Sequence, residues 1–344
     1  MMNHQRPLRP LVSALLAASL LLAACGGDTD SGTDDSTGTD DPTGSSGVDS
    51  FGSYTLDDEE FGTSVTVTVD GATRTIVSNA LPDHETGEFP NEGNPNTISA
   101  QNASYEYTTE PTFVGAETPV MNTGVGVNGV KFEPGTAETV TCDSGETYRV
   151  EALQDVYDLG LDFNNAHVQP TGEYHYHGIS ELLVEAYATD DDLVHVGFAA
   201  DGYMMYFSKS GAYASGHELS TGPRTGTDCV GSGAIGSATT EVEGTIPDGV
   251  YVSDWVWRDE AGDLDACNGV EIDGTYAYII TDEYPYISRC LNGEATAADR
   301  PAGGPGPVQG GGPPPDVDAA AETLGLTVEE LRAALPAGPN DGSP

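Results

Sequence analysis

"NNAHVQPTGEYHYHG", residues 164–178, holds three of the seven histidines of the chain. Pro170-Thr171-Gly172 fits a three-residue hairpin loop, a type I turn followed by a left-handed residue. Proline's fixed φ suits the first position, and glycine tolerates the positive φ of the third. This loop pairs Gln169 with Glu173 and sets His167 directly opposite His175. Side chains alternate across a sheet, so His177 falls on the face of His175. One face then carries His167, His175 and His177 with Asn165, Gln169 and Glu173. The other carries Ala166, Val168, Tyr174 and Tyr176 and is the natural core side. A four-residue loop would put His167 opposite Tyr176, on the wrong face.

Directly opposed Cβ atoms lie about 5 Å apart and next-but-one neighbours about 7 Å. Three imidazoles so placed can converge on one ion with metal–nitrogen distances near ~2 Å. Such a trio suits a first-row transition metal, with Zn or Cu favoured, and leaves a coordination position for a polarised water. An H-x-H pair on one strand fits equally a hydrogen-bonded polar seam. His167 in register adds the third donor and tips the reading towards metal. Glu173 on the same face is a candidate catalytic base, and Asp201, at a strand end before Gly202, is a second candidate carboxylate.

The period-2 pattern extends outward from this hairpin. "SVTVTVD" (64–70) and "GATRTIVSNALP" (71–82) read as two strands of a hairpin. Residues 82–102 are a Pro-, Gly- and Asn-rich loop. "YEYTTEPTFV", "GVGVNGVKFEP", "LVHVGFAADGYMMYFS", "YVSDWVWRD" and "TYAYIITDEYPYISRC" carry the β-branched and aromatic composition of strands. Residues 148–159, "YRVEALQDVYDL", are the best helix candidate between 51 and 300. The expectation is a mainly β fold over 51–295, an antiparallel sandwich or distorted barrel with few helices.

The flanks differ. Residues 1–24 combine Arg6 and Arg9 with a short apolar run, which reads as an export signal. "LAAC" resembles a lipobox, with Cys25 as the lipidated residue. Residues 25–50 form an acidic, Gly/Ser/Thr-rich tether that cannot offset its ordering entropy. Residues 296–315 are a Pro/Gly linker, and 316–337 read as a short C-terminal helical hairpin with a Thr327/Glu330 capping box. The chain is expected in the bacterial cell envelope, held to the membrane through a lipid on Cys25.

The chain carries 56 Asp+Glu against 11 Lys+Arg, a formal charge of -45. That excludes nucleic acid as a partner and anionic lipid as a charge-driven one. Besides Cys25 there are Cys142, Cys229, Cys267 and Cys290. An exported chain with an even set favours two disulfides, and three connectivities are open. Cys267 with Cys290 is preferred, leaving Cys142 with Cys229. Asp263, Asp265 and Asn268 fit either a Ca²⁺ loop or an Asx-turn bracing a disulfide. Tyr276, Tyr278, Tyr284 and Tyr286 pack the sheet or, if exposed, stack on a sugar ring. His84, His195 and His217 read as structural or solvent-exposed. No G-x-S-x-G elbow, P-loop or dinucleotide fingerprint occurs.

"AHVQPTGEYHYHG", "VGFAADGY" (196–203), "GDLDACNG" (262–269) and "GTYAYIITDEYPYISRC" (274–290) resemble, in this order, the YHYH-domain family of bacterial exported proteins. The resemblance covers about residues 140–293 and departs from the family pattern in the Gly/Ser-rich stretch 224–245. It implies an exported or lipid-anchored protein and assigns no catalytic residue. Two functions follow: a metal-binding domain, with a hydrolase and an oxidoreductase both open, or a non-catalytic adhesion module for a glycan or protein ligand.

Overall fold

A computed structural model describes residues 49–294. The export signal, most of the tether, the Pro/Gly linker and the terminal helical hairpin lie outside the described residues. A first meander runs β1 (Tyr54–Asp58), β2 (Thr63–Asp70), β3 (Thr73–Ser78) and β4 (Ala103–Thr108), paired in that order. In β2, Val65 and Val67 are buried while Ser64, Thr66 and Thr68 are exposed, the alternation that the sequence shows. Burying each valine is worth about 1.5–3 kcal/mol.

β5 (Phe113–Pro119) leaves this sheet, and β6 (Gly124–Gly126) and β7 (Lys131–Phe132) enter the next. β8 (Thr139–Cys142) and β9 (Thr147–Arg149) form an outlying hairpin, followed by β10 (Ala166–Val168) and β11 (Tyr174–Tyr176). After α1 (Glu181–Tyr187) come β12 (Leu193–Ala199) and β13 (Met204–Ser208). β14 (His217–Leu219), β15 (Cys229–Gly231), β16 (Thr239–Thr240) and β17 (Trp255–Trp257) follow, with β15 and β16 inside the Gly/Ser-rich stretch 224–245. β18 (Gly269–Ile272), β19 (Thr275–Ile280) and β20 (Cys290–Gly293) complete the series.

The eight-stranded sheet that carries the histidines is ordered β10-β11-β7-β6-β12-β13-β19-β18. Its pairs are antiparallel except β11–β7 and β13–β19, which are parallel. The sheets among the described residues are open, so the barrel alternative is set aside. Val65, Val67 and Ile76 of the meander share one core with Val125, Phe132, Tyr174, Tyr176 and Phe198 of the large sheet. A second core, Val140, Tyr148, Val150, Leu159, Val242 and Tyr251, surrounds the Cys142–Cys229 disulfide. Both preferred disulfides are present, the other being Cys267–Cys290.

The helix falls elsewhere than expected. Residues 148–159 hold the end of β9 and irregular chain, because Tyr148 and Val150 point into the second core and Arg149 does not. Cross-strand pairing with β8 overrides local helix propensity there. The seven residues of α1 start at Ser180, whose Oγ accepts from Leu183 N at 3.2 Å, and bury Leu183 and Val184.

Candidate metal centre

The hairpin has the expected register: Ala166↔Tyr176, His167↔His175 and Val168↔Tyr174. Gly172 adopts φ 87°, its N–H donates to the Gln169 carbonyl at 2.8 Å, and Gln169 N donates to the Glu173 carbonyl at 2.9 Å. A Cβ on Gly172 would also lie 2.0 Å from Ser99 Oγ. Asn165 departs from the expected strand face. It takes φ 55°, and its amide donates to the Ile179 carbonyl at 2.7 Å.

His167, His175 and His177 converge. Their ring centroids are 4.7–4.8 Å apart in all three pairs, and each residue offers a nitrogen within 4.8 Å of the others. His177 Nε2 and His167 Nε2 are 3.1 Å apart. Ligands of a tetrahedral ion with metal–nitrogen bonds of ~2.0–2.1 Å stand about 3.4 Å apart, so this pair already has nearly that spacing.

Hydrogen bonding fixes the tautomers. His167 Nδ1 faces the Leu159 carbonyl at 2.8 Å. A carbonyl only accepts, so Nδ1 carries the proton and Nε2 presents a lone pair. His175 Nδ1 turns, at 3.4 Å, towards the Glu173 carbonyl. His177 Nδ1 is buried without a partner in hydrogen-bonding geometry, though the Pro134 carbonyl is near enough to pull its pKa slightly upward. With Nδ1 unpaired, the His177 proton resides on Nε2 and is donated to His167. A bound ion would be held by one nitrogen from each of His167, His175 and His177, with the His177 proton then carried on Nδ1.

His175 and His177 are 2% and 1% exposed. Burial holds both imidazoles well below the usual histidine pKa, and each is lowered further by its histidine neighbours and by a cation, Lys131 for His175 and Arg289 for His177. His167, half-buried, is also lowered by burial, against the pull of its bond to Leu159. All three are therefore neutral at pH 7, the form that binds metal.

The nearby charges are already committed. Lys131, in parallel register with His175, contacts Glu133 at 2.7 Å and Glu173 at 2.9 Å. Gln169 donates to Glu133 at 2.7 Å and accepts from Lys131 at 3.3 Å. Glu173 thus lies beside the histidines as an ion-pair partner. Arg289 grips buried Glu151 through two contacts of 2.7 and 2.8 Å.

The tyrosines point to the core as expected, and their hydroxyls are anchored. Tyr174 donates to Asp162 at 2.8 Å. His84 gives its Nδ1 proton to the Glu85 carbonyl, so its Nε2 accepts from Tyr176 at 2.6 Å. Asn128 donates to both Tyr176, at 2.9 Å, and Asp83, at 2.8 Å. His84 is therefore structural and buried. His195 is also buried, between Ser50 at 2.7 Å and the Gly197 carbonyl at 2.9 Å. No local pattern marks Asn128, Lys131 or the Glu151–Arg289 pair, since each meets the hairpin only through folding.

Asp201 is not brought to this centre. It follows β12, three strands from β11 in the sheet order, a lateral separation of roughly 14 Å at ~4.8 Å per strand. It is 1% exposed and accepts from Tyr278 Oη at 2.6 Å and Gly293 N at 2.9 Å. Burial raises its pKa against these bonds. The Ca²⁺ alternative at Asp265 also fails. Its oxygens accept from Cys267 N, Gly269 N, Tyr276 Oη and Asn292 Nδ2 at 2.7–2.9 Å, which leaves an Asx-turn bracing the disulfide loop. Tyr278 and Tyr284 are buried, Tyr276 and Tyr286 half-buried.

Fold and site together define a mainly β, doubly disulfide-bonded domain that presents a buried three-histidine face. The sequence pattern of the YHYH protein family matches residues 101–293, more than half of the chain. The chain belongs to the YHYH family. The match begins well before residue 140 and takes in β7, which pairs with β11 in the sheet, and β6 on the far side of β7. Comparison with curated proteins and with solved structures returns no match.

Proposed function

We propose that this chain is a metal-binding domain that holds one first-row transition-metal ion, Zn or Cu, through His167, His175 and His177. The observation that carries the reading is the set of three neutral imidazoles, two buried and one half-buried, with convergent nitrogens, two of them 3.1 Å apart and one with an unpaired Nδ1. Carbonyls at Leu159 and Glu173 orient two of the rings, as outer-shell acceptors do in metal sites.

A bound ion would supply Lewis acidity or redox capacity at a fourth position on the side of half-exposed His167. Either a hydrolase or an oxidoreductase fits that capacity. Glu173, held by Lys131, positions charge beside the site and is a poor base while so paired. The adhesion alternative loses support because Tyr276, Tyr278, Tyr284 and Tyr286 are at least half-buried. We further propose, from the sequence of residues 1–50, that the domain is exported and anchored to the envelope through a lipid on Cys25.

Metal analysis of the purified protein after mild chelation and re-addition of Zn²⁺, Cu²⁺ or Co²⁺ tests the reading. One equivalent bound in the fold is expected. Failure of every one of these ions to bind below micromolar concentration would sink it.

A further inference from the structure

β4 and β5 are consecutive and joined only by residues 109–112, yet they do not pair. β4 ends the four-stranded sheet, and β5 pairs with β20 alone. Each strand therefore keeps one edge without a strand neighbour among the described residues. Open edges of this kind are templates for a further strand.

Between them lies a cleft of about 600 Å³, within the ~300–1,000 Å³ of ligand clefts. Its walls are alternate residues, Glu106 and Thr108 on one side and Val114 and Ala116 on the other. β5 is exposed along most of its length, with Phe113 54% and Val114 51% exposed. These are large apolar side chains on an edge that positive φ at Gly115 and Glu117 bends, so the regular edge of β4 is the better template for the ladder. Glu110 and Glu294 add two more carboxylates to the cleft, and no Lys or Arg lines it.

We propose that this cleft docks an extended peptide from a partner, added as a β-strand, with Lys or Arg at alternate positions and small or β-branched residues between them. Ladder hydrogen bonds to the open edges would supply affinity, and the alternate side chains would supply selection. The basic residues would face Glu106, Glu110 and Glu294, and the intervening ones Val114 and Ala116. Charge argues against the two occupants that this protein itself offers. A second copy brings a formal charge of -45. Residues 295–344 carry seven acidic side chains against Arg300 and Arg332. Both would place like charge in an acidic cleft.

The test uses the full chain and labelled nine-residue peptides that alternate Lys with Val and Thr, measured by fluorescence anisotropy at near-physiological salt. The basic peptide should bind at least about tenfold more tightly than its Glu-for-Lys counterpart. It should also bind about tenfold more tightly than a version with two central prolines, which cannot donate to a ladder. The double substitution E106K/E110K, at exposed or half-exposed positions, should reverse the charge preference while far-UV circular dichroism stays unchanged. Amide exchange should slow along residues 103–119 when peptide binds. Equal binding of the proline peptide, or unchanged selectivity in E106K/E110K, would reduce the effect to diffuse attraction and overturn the proposal. Binding that appears only after removal of residues 295–344 would assign the cleft to the chain's own C-terminal segment and overturn it too. Self-association that the peptide displaces would assign the cleft to a second copy, with the same consequence.

Discussion

His167→Ala isolates metal affinity from folding better than a change at either other histidine. His175 and His177 are 2% and 1% exposed, so truncating either opens a hole in the structure. His167 is half-buried, and its loss frees the Leu159 carbonyl and His177 Nε2, each on a buried residue. The expected stability cost is about 2–4 kcal/mol, two hydrogen bonds lost with their buried partners left unsatisfied. The metal cost is of similar size. Structural zinc sites with four ligands yield about 10–16 kcal/mol, or ~3 kcal/mol per ligand. Removing one of three donors should thus raise Kd by about 100-fold or more, since ~1.4 kcal/mol is tenfold. Competition against a chromophoric chelator measures this, and the d–d spectrum of the Co²⁺ form reports the geometry. An affinity within threefold of the unsubstituted protein, with folding retained, would refute the three-histidine assignment. The melting temperature of the apo variant separates the two costs.

His195 provides a pH test away from the metal centre. Burial lowers its pKa to about 4, against the bond to Gly197. A depressed histidine pKa means that the unfolded chain takes up the proton first. The associated stability is present above the unfolded value of about 6.5 and is lost as pH falls from there to about 4, by about 3 kcal/mol. Denaturant melts of His195→Gln should show a shallower loss over that window than the parent, and identical slopes would contradict the assignment. Tyr176→Phe deprives His84 Nε2 of its donor and Asn128 of an acceptor. A loss of about 2 kcal/mol, or ~4–8 °C in Tm by calorimetry, is expected. Replacing Cys142 and Cys229 by alanine opens a crosslink between residues 87 apart in sequence. The chain-entropy estimate is about 4–5 kcal/mol, read from the guanidinium midpoint at constant m.

Residues whose roles depend on near neighbours were legible in the sequence. The period-2 pattern in β2 gave its buried valines, and Pro170-Thr171-Gly172 gave the register that aligns three histidines on one face. Turn chemistry and strand alternation act over a few residues, so their rules can be read from a single stretch. The best helix candidate, 148–159, is not helical on the same principle, because pairing with β8 comes from outside the local window. The distance of Asp201 from the histidines was illegible for a similar reason, since a strand end tells nothing of which strands lie between the two.

The sequence by itself determined that His167, His175 and His177 share a face and that two tyrosines turn to the core. Tertiary structure alone decided that the face is buried, so that desolvation keeps the imidazoles neutral. It also paired Glu173 with Lys131, brought the Leu159 carbonyl to His167, and set Asn128 and His84 on the hydroxyl of Tyr176. These contacts join residues 8 to 92 positions apart, and only the packing of the sheets sets such distances.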